Sequence, residues 1–598
     1  MKDEYQSLLS SLKDPELILR KKRAIKQYFS TQFCSLEIRI AILGGSTTAE
    51  VRDIIEIFLL KEGICPTFYE SGYNQYYEEV MFHDSNLLLF KPDVIYIHTS
   101  SVNISRFPDV NDSEEQVHNL LQDEFQKFRD IWEAAFKKFN CTIIQNNFEL
   151  PSFRVLGNLD CTDLRGRVSY ITALNQRFIQ YSRVDRRLVI NDIHYLAASI
   201  GLDRWYDARL WFTSKYALSL EAIPLLAHQI AVIIGATLGK SKKCIVLDLD
   251  NTLWGGVIAD DGLAGIQIGN GTPVAEAYSA FQHYLKQLHE RGILLAICSK
   301  NDLENALEGF KHPDMVLKVE NFSLFIANWE SKPANIRKIA EKLCLSVDSI
   351  VFVDDNSVER EHVKNSLSKT TVVELSEDIS DYIKNIDSML LFEISTLSSE
   401  DLNRNHYYEM NQKRENEKNA YDSLKDFLKS LRMVAEIEPF RDIYLDRITQ
   451  LINKTNQFNL TTRRHTFAEV SSIALDEQYL TLYGKLEDKI GQNGIVSAII
   501  GKQYQSIMHI DLWVMSCRVF QRGMEAAMLD QFIKYAIRKG VRKIYGIYYK
   551  TEKNSIVKNL YQEFDFELVK SDEFGNTEWL LDVSDYNCIH NHIIEVKQ

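Results

Sequence analysis

Cys244-Ile-Val-Leu-Asp248-Leu-Asp250-Asn-Thr252-Leu-Trp-Gly-Gly256 begins with four apolar or small residues and runs into two carboxylates one residue apart. The run reads as a buried parallel strand. Alternate strand residues point to the same side, so Asp248 and Asp250 address one point at the strand's C-terminal end. Open α/β sheets place their chemistry at that end. Unpaired buried charge is very costly, so packing does not account for two acids and a threonine there. The pattern calls for a cation, and Mg²⁺ with oxygen ligands suits it.

Three further elements follow in order. Ile293 to Cys298 is a second apolar strand ending in Ser299-Lys300-Asn301. Lys332, in Trp329-Glu-Ser-Lys332-Pro, opens a helix. Ile350-Val-Phe-Val353 is a third strand, ending in Asp354-Asp355. Together the four resemble the motif set of the haloacid dehalogenase (HAD) superfamily of phosphohydrolases and phosphotransferases, whose first motif is Asp-x-Asp-x-Thr after a strand. The resemblance implies Asp248 as the nucleophile that becomes an aspartyl phosphate, and Asp250 as general acid and then base. Ser299 and Lys332 would hold the phosphoryl oxygens, with Thr252 and Asn301 lining the substrate. Asp248, the backbone carbonyl of Asp250 and Asp354 would bind Mg²⁺, with Asp355 in support.

The surrounding words narrow the resemblance. Asp250-Asn-Thr-Leu-Trp254-Gly255-Gly256-Val and Val353-Asp-Asp-Asn356-Ser-x-x-Glu359-Arg-Glu look like the FkbH-like branch of the superfamily. So do Asn453-Lys-Thr-Asn456-Gln457-Phe458-Asn459 and Ser516-Cys517-Arg518-Val. Members of that branch are associated with removing phosphate from 1,3-bisphosphoglycerate and loading a glyceryl group onto an acyl carrier protein as a thioester. The resemblance alone implies this activity, with a small phosphorylated metabolite and a carrier's phosphopantetheine arm as partners. Two other readings stay open. One is a HAD phosphatase on another small phosphorylated metabolite, with flanking domains that bind partners. The other is a non-catalytic scaffold of a biosynthetic complex.

Only 46 residues separate Thr252 from Ser299. A hairpin-like flap (253–270) and one helix (274–290) use them all, so no cap domain fits. An open site suits a large second substrate or a neighbouring domain serving as lid, and equally an ordinary capless phosphatase.

At 598 residues the chain is expected to form several domains. We read an α/β domain at 1–239, a HAD-like domain at 240–390, a helical connector at 391–430 and an acyltransferase-like domain at 431–598. A net charge of −14 argues against a nucleic-acid partner. An acidic carrier would then need a local basic patch such as Arg463-Arg464-His465. Nine cysteines with no Cys-x-x-Cys pair indicate neither a disulfide frame nor a zinc site, which fits a reducing cytoplasm. The N-terminus (Met1-Lys-Asp-Glu-Tyr) is charged rather than signal-like. The longest apolar stretch, 222–238, contains Pro224, His228 and Gln229 and reads as a packed helix, not a membrane span.

In the N-terminal third, Glu37-Ile-Arg-Ile-Ala-Ile-Leu43 is a strand feeding Gly44-Gly-Ser46-Thr-Thr48 and a helix. Strands at 94–98, 142–145 and 188–191 alternate with helices, a flavodoxin-like parallel pattern. The domain resembles an SGNH hydrolase, which implies Ser46 as nucleophile, Gly72 and Asn103 as oxyanion donors, and Asp192 with His194 completing the site. The usual signature is Gly-Asp-Ser and spaces the Asp and His by three. Gly44-Gly45-Ser46 equally reads as a strand-to-helix turn capped by Ser46.

In the C-terminal third, a helix near 443–455, strands at 478–485, 495–501 and 506–515, and a helix from Gly523 to Lys539 resemble the acyltransferase fold of the GCN5-related N-acetyltransferases (GNAT). Acetyl-CoA use there relies on bare amides at a glycine-rich helix start. Here that stretch is Phe520-Gln-Arg-Gly523-Met-Glu525, which puts an acid beside the phosphate site, so a pantetheine tunnel is the role that survives. Cys517 is the candidate acyl-holding thiol, its pKa lowered by Arg518 or a helix N-terminus. As a strand residue it reads equally as a buried core cysteine. Asn453, Asn456, Gln457 and Asn459 either bind pantetheine or glycerate hydroxyls, or build an Asx-rich cap. Tyr561 is either a proton donor to a leaving thiolate or a packed aromatic.

Overall fold

The computed structural model describes residues 5–597 apart from 6–7, 10–11, 13, 32–33, 35, 83–85, 419, 585 and 587–589. The charged lead residues 1–4 therefore lie outside it. The chain parts into two compact units, Met1–Thr237 with Thr466–Ser472, and Leu238–His465 with Ile473–Gln598.

In the first unit β1 (Leu36–Gly44), β2 (Ile64–Glu70), β3 (Val94–His98), β4 (Thr142–Asn146) and β5 (Leu188–Asn191) form one sheet of order β2-β1-β3-β4-β5. Every pairing is parallel. This is the flavodoxin-type order, with its topological switch between β1 and β3. The strands hide near-continuous Ile and Val runs, as a sheet covered on both faces requires. β2 was not foreseen, because Pro66 interrupts its apolar run. It is the sheet's edge, pairing only with β1, with Pro66 opposite Ile38. An edge strand tolerates proline because one side has no ladder to join.

The apolar stretch is the helix Ala222–Thr237, packed on the helices Ala49–Lys61 and Pro15–Ser30. Among the described residues no helix is long and apolar enough to cross a membrane. The cysteine reading needs correction: Cys34 and Cys65 form a disulfide across 31 residues. Motif spacing could not reveal it. Parallel pairing of β1 with β2 sets Glu37 opposite Cys65, which brings Cys34 close.

The second unit holds two sheets. In one, β6 (Cys244–Leu247), β7 (Leu294–Ser299), β8 (Phe322–Ala327), β9 (Ile350–Val353) and β10 (Thr371–Val372) run parallel in the order β10-β9-β6-β7-β8. β6 is central, and its four residues are completely buried. The other sheet comprises β11 (Val434–Glu438), β12 (Tyr479–Asp488), β13 (Gly491–Tyr504), β14 (Ile507–Met515), β15 (Lys543–Tyr548), β16 (Glu567–Ser571), β17 (Thr577–Asp582) and β18 (Glu595–Val596). Their order is β16-β17-β15-β14-β13-β12-β11-β18. β11 to β14 are antiparallel neighbours, β14 meets β15 in parallel, and the helix Met524–Arg538 packs on β12 and β13. That is the GNAT-like order.

The stretch 391–430 does more than connect. On its helix Arg404–Lys418, Gln412 donates to the Ser323 carbonyl on β8, while Arg414 makes a bidentate pair with Asp488 at the end of β12 (Nε–Oδ2 2.8 Å, Nη2–Oδ1 2.9 Å). Both side chains are almost fully buried, 1% and 0% exposed. Losing either partner would leave a buried charge bare, at a cost of about 3–5 kcal/mol. One helix thus ties both sheets together.

Candidate active site

All four motifs converge at the C-terminal edge of the β6 sheet. Asp248 follows β6 directly, and its amide donates to Val353 O at 3.1 Å, so the sheet ladder continues into the site. Lys332 opens the helix Lys332–Lys342 and reaches Asp248 Oδ2 at 2.7 Å and Asp354 Oδ2 more closely still. It is only 2% exposed. Burial works against its charge, but Asp248 and Asp354 outweigh that and raise its pKa.

Side-chain oxygens of Asp248, Asp354 and Asp355 lie within 4.8 Å of one another. Burial, and then the Asp248 charge, push Asp354 up to about 6 and raise Asp355. Asp248 Oδ1 is buried without a hydrogen-bond partner. Three carboxylates facing one ammonium leave surplus negative charge, and an unpartnered acceptor among them suits a divalent cation. Thr252 holds Asp355 by two 3.1 Å bonds, one in each direction.

The Asp250 carboxylate stands apart from that trio and is held by three donors. Trp254 Nε1 and the Ile258 amide each reach Oδ1 at 3.0 Å, and Asn301 Nδ2 reaches Oδ2 at 3.1 Å. Burial raises its pKa, the direction a general acid needs. Ser299 and Asn301, at the end of β7, are both buried at this edge. Sequence reasoning did not give Trp254 its role as a clamp. The indole is fully buried beside Phe310, and it packs so tightly on Gly309 that a Cβ there would lie 2.8 Å from Cη2. Arg360 was also missed; its Nη1 donates to the Asp354 and Asp355 carbonyls at 2.7 and 2.6 Å and so fixes the acidic loop. The flap is less of a hairpin than expected. A short helix, Ile258–Gly265, kinks at Gly262, and one antiparallel bridge, Gly255 to Gln267, closes it.

The family model for FkbH, N-terminal domain, matches residues 39–235. A solved structure matches as well. The N-terminal part of the protein BF1531 from Bacteroides fragilis, which contains a phosphatase domain and is complexed with Mg, is 31% identical to this chain. The match covers 63% of this chain and 99% of that one, with a TM-score of 0.58. This chain belongs to the FkbH-like family of the HAD superfamily. Acetyltransferases also match, among them the ribosomal-protein-S18-alanine N-acetyltransferase from Escherichia coli (13% identity, 26% of this chain and 97% of that one, TM-score 0.21). Ard1 from Thermoplasma volcanium is another (14% identity, 25% and 99%, TM-score 0.21). The GNAT-like assignment rests on the strand order, not on these. No curated protein matches the chain.

In this FkbH-like chain the gap between β14 and β15 is filled. The two strands pair only from Ile507 to Ile510. Beyond that the segment 458–461 runs between them. Met515 N donates to Phe458 O (3.1 Å) and Leu460 N to Trp513 O (3.3 Å) on one side. Tyr549 N donates to Leu460 O and Asn554 Nδ2 to Asn459 O on the other, both at 2.9 Å. The expected pantetheine tunnel is therefore plugged by the chain itself. Asn459 is corrected from ligand binder to loop builder: it is fully buried, and its Oδ1 accepts the Thr462 amide at 2.8 Å. Tyr561 is likewise corrected. It is 1% exposed, its ring covers Gly546, and burial raises its phenol pKa. Glu525 accepts the Gln521 amide at 2.7 Å, so a carboxylate already takes an amide at the helix start.

Cys517, Arg518, Asn456 and Gln457 instead line a cavity of about 120 Å³ with Lys243, Cys344, Arg404, Tyr408, Arg447 and Lys454. Lys243 precedes β6, so this cavity lies at the sheet edge opposite Asp248. The cysteine expectation changes in one respect. Burial raises the Cys517 pKa, and the charge pulling it back is that of Lys243, not of Arg518. Arg518 sits over the Tyr407 ring at 4.6 Å. Asn456 Oδ1 accepts from Arg464, which turns inward to the Ile452 and Thr455 carbonyls; of the basic triplet, Arg463 is the exposed member.

In the first unit, Ser46 Oγ and His194 Nδ1 are both buried without a hydrogen-bond partner. Asp192 Oδ1 accepts from Asn147 Nδ2 (2.7 Å) and caps its helix at the Tyr195 amide (3.2 Å). Among the described residues no hydrogen bond joins the three into a triad. The Asn103 amide donates to Gly45 O at 2.7 Å and its Oδ1 accepts the Ser100 amide at 3.0 Å, so both its polar atoms hold the loop. Gly72 lies in the loop after β2, where Gln75 Oε1 would sit 2.3 Å from any Cβ.

Proposed function

We propose that this FkbH-like protein is a Mg²⁺-dependent phosphatase that also loads an acyl group onto the thiol of an acyl carrier protein. The acyl donor in this reading is 1,3-bisphosphoglycerate. The observation that carries the phosphatase half is the grouping of Asp248, Asp354 and Asp355 around Lys332, with Asp250 held separately. Asp248, Asp354 and Asp355, with the Asp250 carbonyl, would hold Mg²⁺, whose bound charge neutralises the phosphoryl oxygens. The likeness to a phosphatase domain complexed with Mg supports that cation.

Asp248 attacks phosphorus, forming the Asp248 O–P bond as the ester P–O bond breaks. Asp250, whose pKa burial raises, gives its proton to the leaving oxygen. It then takes a proton from water, which attacks phosphorus and regenerates Asp248. Lys332 and Ser299 hold the phosphoryl oxygens throughout.

An acyl phosphate needs no such help. A thiolate attacking its carbonyl forms a C–S bond and breaks the C–O bond to phosphate, which departs. In this reading Cys517 supplies that thiolate, and transfer to the carrier's pantetheine thiol exchanges one thioester for another. A donor with both an acyl phosphate and a phosphomonoester thus gives each end of the sheet one phosphate to remove. The test is phosphate release from 3-phosphoglycerate with Mg²⁺, after EDTA, and in Asp248→Asn. Release that survives both treatments would contradict the assignment.

A further inference from the structure

The cavity beside Cys517 carries more positive charge than its surroundings balance. Lys243, Arg404, Arg447, Lys454 and Arg518 line it, and Glu400 is its one lining carboxylate. Asp401, just outside, pairs with Arg404 and with Lys454 (3.0 Å). Among the described residues, no carboxylate lies within 4 Å of the cationic groups of Lys243, Arg447 or Arg518. Among the described residues, Lys243 Nζ donates only to the Lys454 carbonyl, at 2.9 Å. Arg447 Nε and Arg518 Nη1 are buried with no hydrogen-bond partner. Burial depresses all three, Lys243 to about 8 and Arg518 to about 10.

We infer that this cavity binds a phosphoryl oxyanion beside the Cys517 thiol. Buried cations without counter-charges destabilise a fold, so a cluster of them with unused donors marks the place of a mobile anion. Two guanidinium groups with free N–H bonds match the several oxygens of a phosphate better than a lone carboxylate, and Arg is the side chain suited to that geometry. The phosphate belongs either to a small phosphorylated acid or to the phosphodiester of a pantetheine arm. The anion site stands on these contacts alone; its use in acyl transfer rests on the function proposed above.

The test reads Cys517 directly. Full-length protein is alkylated with iodoacetamide with and without inorganic phosphate, and labelling is followed peptide by peptide, with exposed Cys161 in the first unit as internal control. Phosphate is expected to slow labelling of Cys517 about tenfold and leave Cys161 unchanged. Lys243→Met and Arg518→Met should each abolish that protection, because one charge-assisted bond is worth about 1.5–3 kcal/mol, or tenfold and more in affinity. Asp248→Asn should keep it, which separates this site from phosphate held at the other end of the sheet. In phosphate-free buffer Lys243→Met should melt no lower than the parent. Comparing 3-phosphoglycerate with 4′-phosphopantetheine assigns the source to whichever protects at lower concentration. Equal Cys517 labelling with and without all three probes would overturn the inference, as would protection unchanged in both cavity variants, or a Lys243→Met protein that melts well below the parent.

Discussion

The two ends of β6 carry opposite surpluses of charge. Beyond Leu247, three aspartates gather around one lysine, with Asp250 held beside them; before Cys244, five cations gather around two thiols and one lining glutamate. Five steps along the strand, roughly 16 Å, separate Lys243 from Asp248. The carboxylate end is built for a cation and a phosphorus atom, the cationic end for an anion and a nucleophilic sulfur. The lesson is that one parallel sheet can present two different chemistries when a second sheet covers its usually idle edge.

The largest effect should come from breaking the acidic end. Asp248→Asn is expected to lower phosphate release about 10³-fold or more, with circular dichroism unchanged. A loss of only a few fold would leave the two ends without their functional contrast. Trp254→Phe sharpens the same end. Removing one hydrogen bond to the Asp250 carboxylate costs about tenfold in kcat. That bond favours the ionised form, so its loss raises the Asp250 pKa further and moves the basic limb of the pH–rate profile upward. An unchanged profile would mean the indole merely fills space.

The cationic end makes a prediction about stability. Lys243 is held down to about 8 by burial and by Arg404 and Arg464, against Cys517 and Asp348, whereas its unfolded value is 10.5. The folded state therefore binds fewer protons between those values. Stability should rise with pH across that window and level off below it. Urea unfolding at a series of pH values reads the slope, and Lys243→Met should flatten it. The smallest effect tests the plugged sheet. Tyr561→Phe should change activity little and stability by no more than about 1 kcal/mol, whereas a proton donor would lose most of its turnover.

How far each end was legible follows from how each is assembled. The acidic end is written in short words, each a strand and its next few residues, so period and spacing reveal it. The cationic end draws on residues 243, 404, 447, 454 and 518, which meet only after two sheets and a helix have docked. Arg518 aside, which stands beside Cys517 in a family-like word, none of those cations carries a local signal; Lys243 is a flanking residue before an apolar strand. The same reason hid the Cys34–Cys65 disulfide and the Arg414–Asp488 pair, both products of strand register or docking. The edge strand β2 was hidden by a proline that only an edge tolerates. Trp254 stood in plain view within the first motif, but its clamp on Asp250 depends on a glycine 55 residues later making room for the ring. Asn459 misled in the opposite sense, since polar residues in a dense cluster look functional until their bonds and burial are seen, and so did the lone phenol of Tyr561.

The most direct test of a division of labour between the two ends is the mass of the protein itself after reaction with 1,3-bisphosphoglycerate and Mg²⁺, in the parent and in Asp248→Asn. The account predicts a hydroxylamine-sensitive adduct on Cys517 in both, retaining its phosphate in Asp248→Asn and lacking it in the parent. The same adduct mass in both proteins, or none on Cys517 in either, would contradict it.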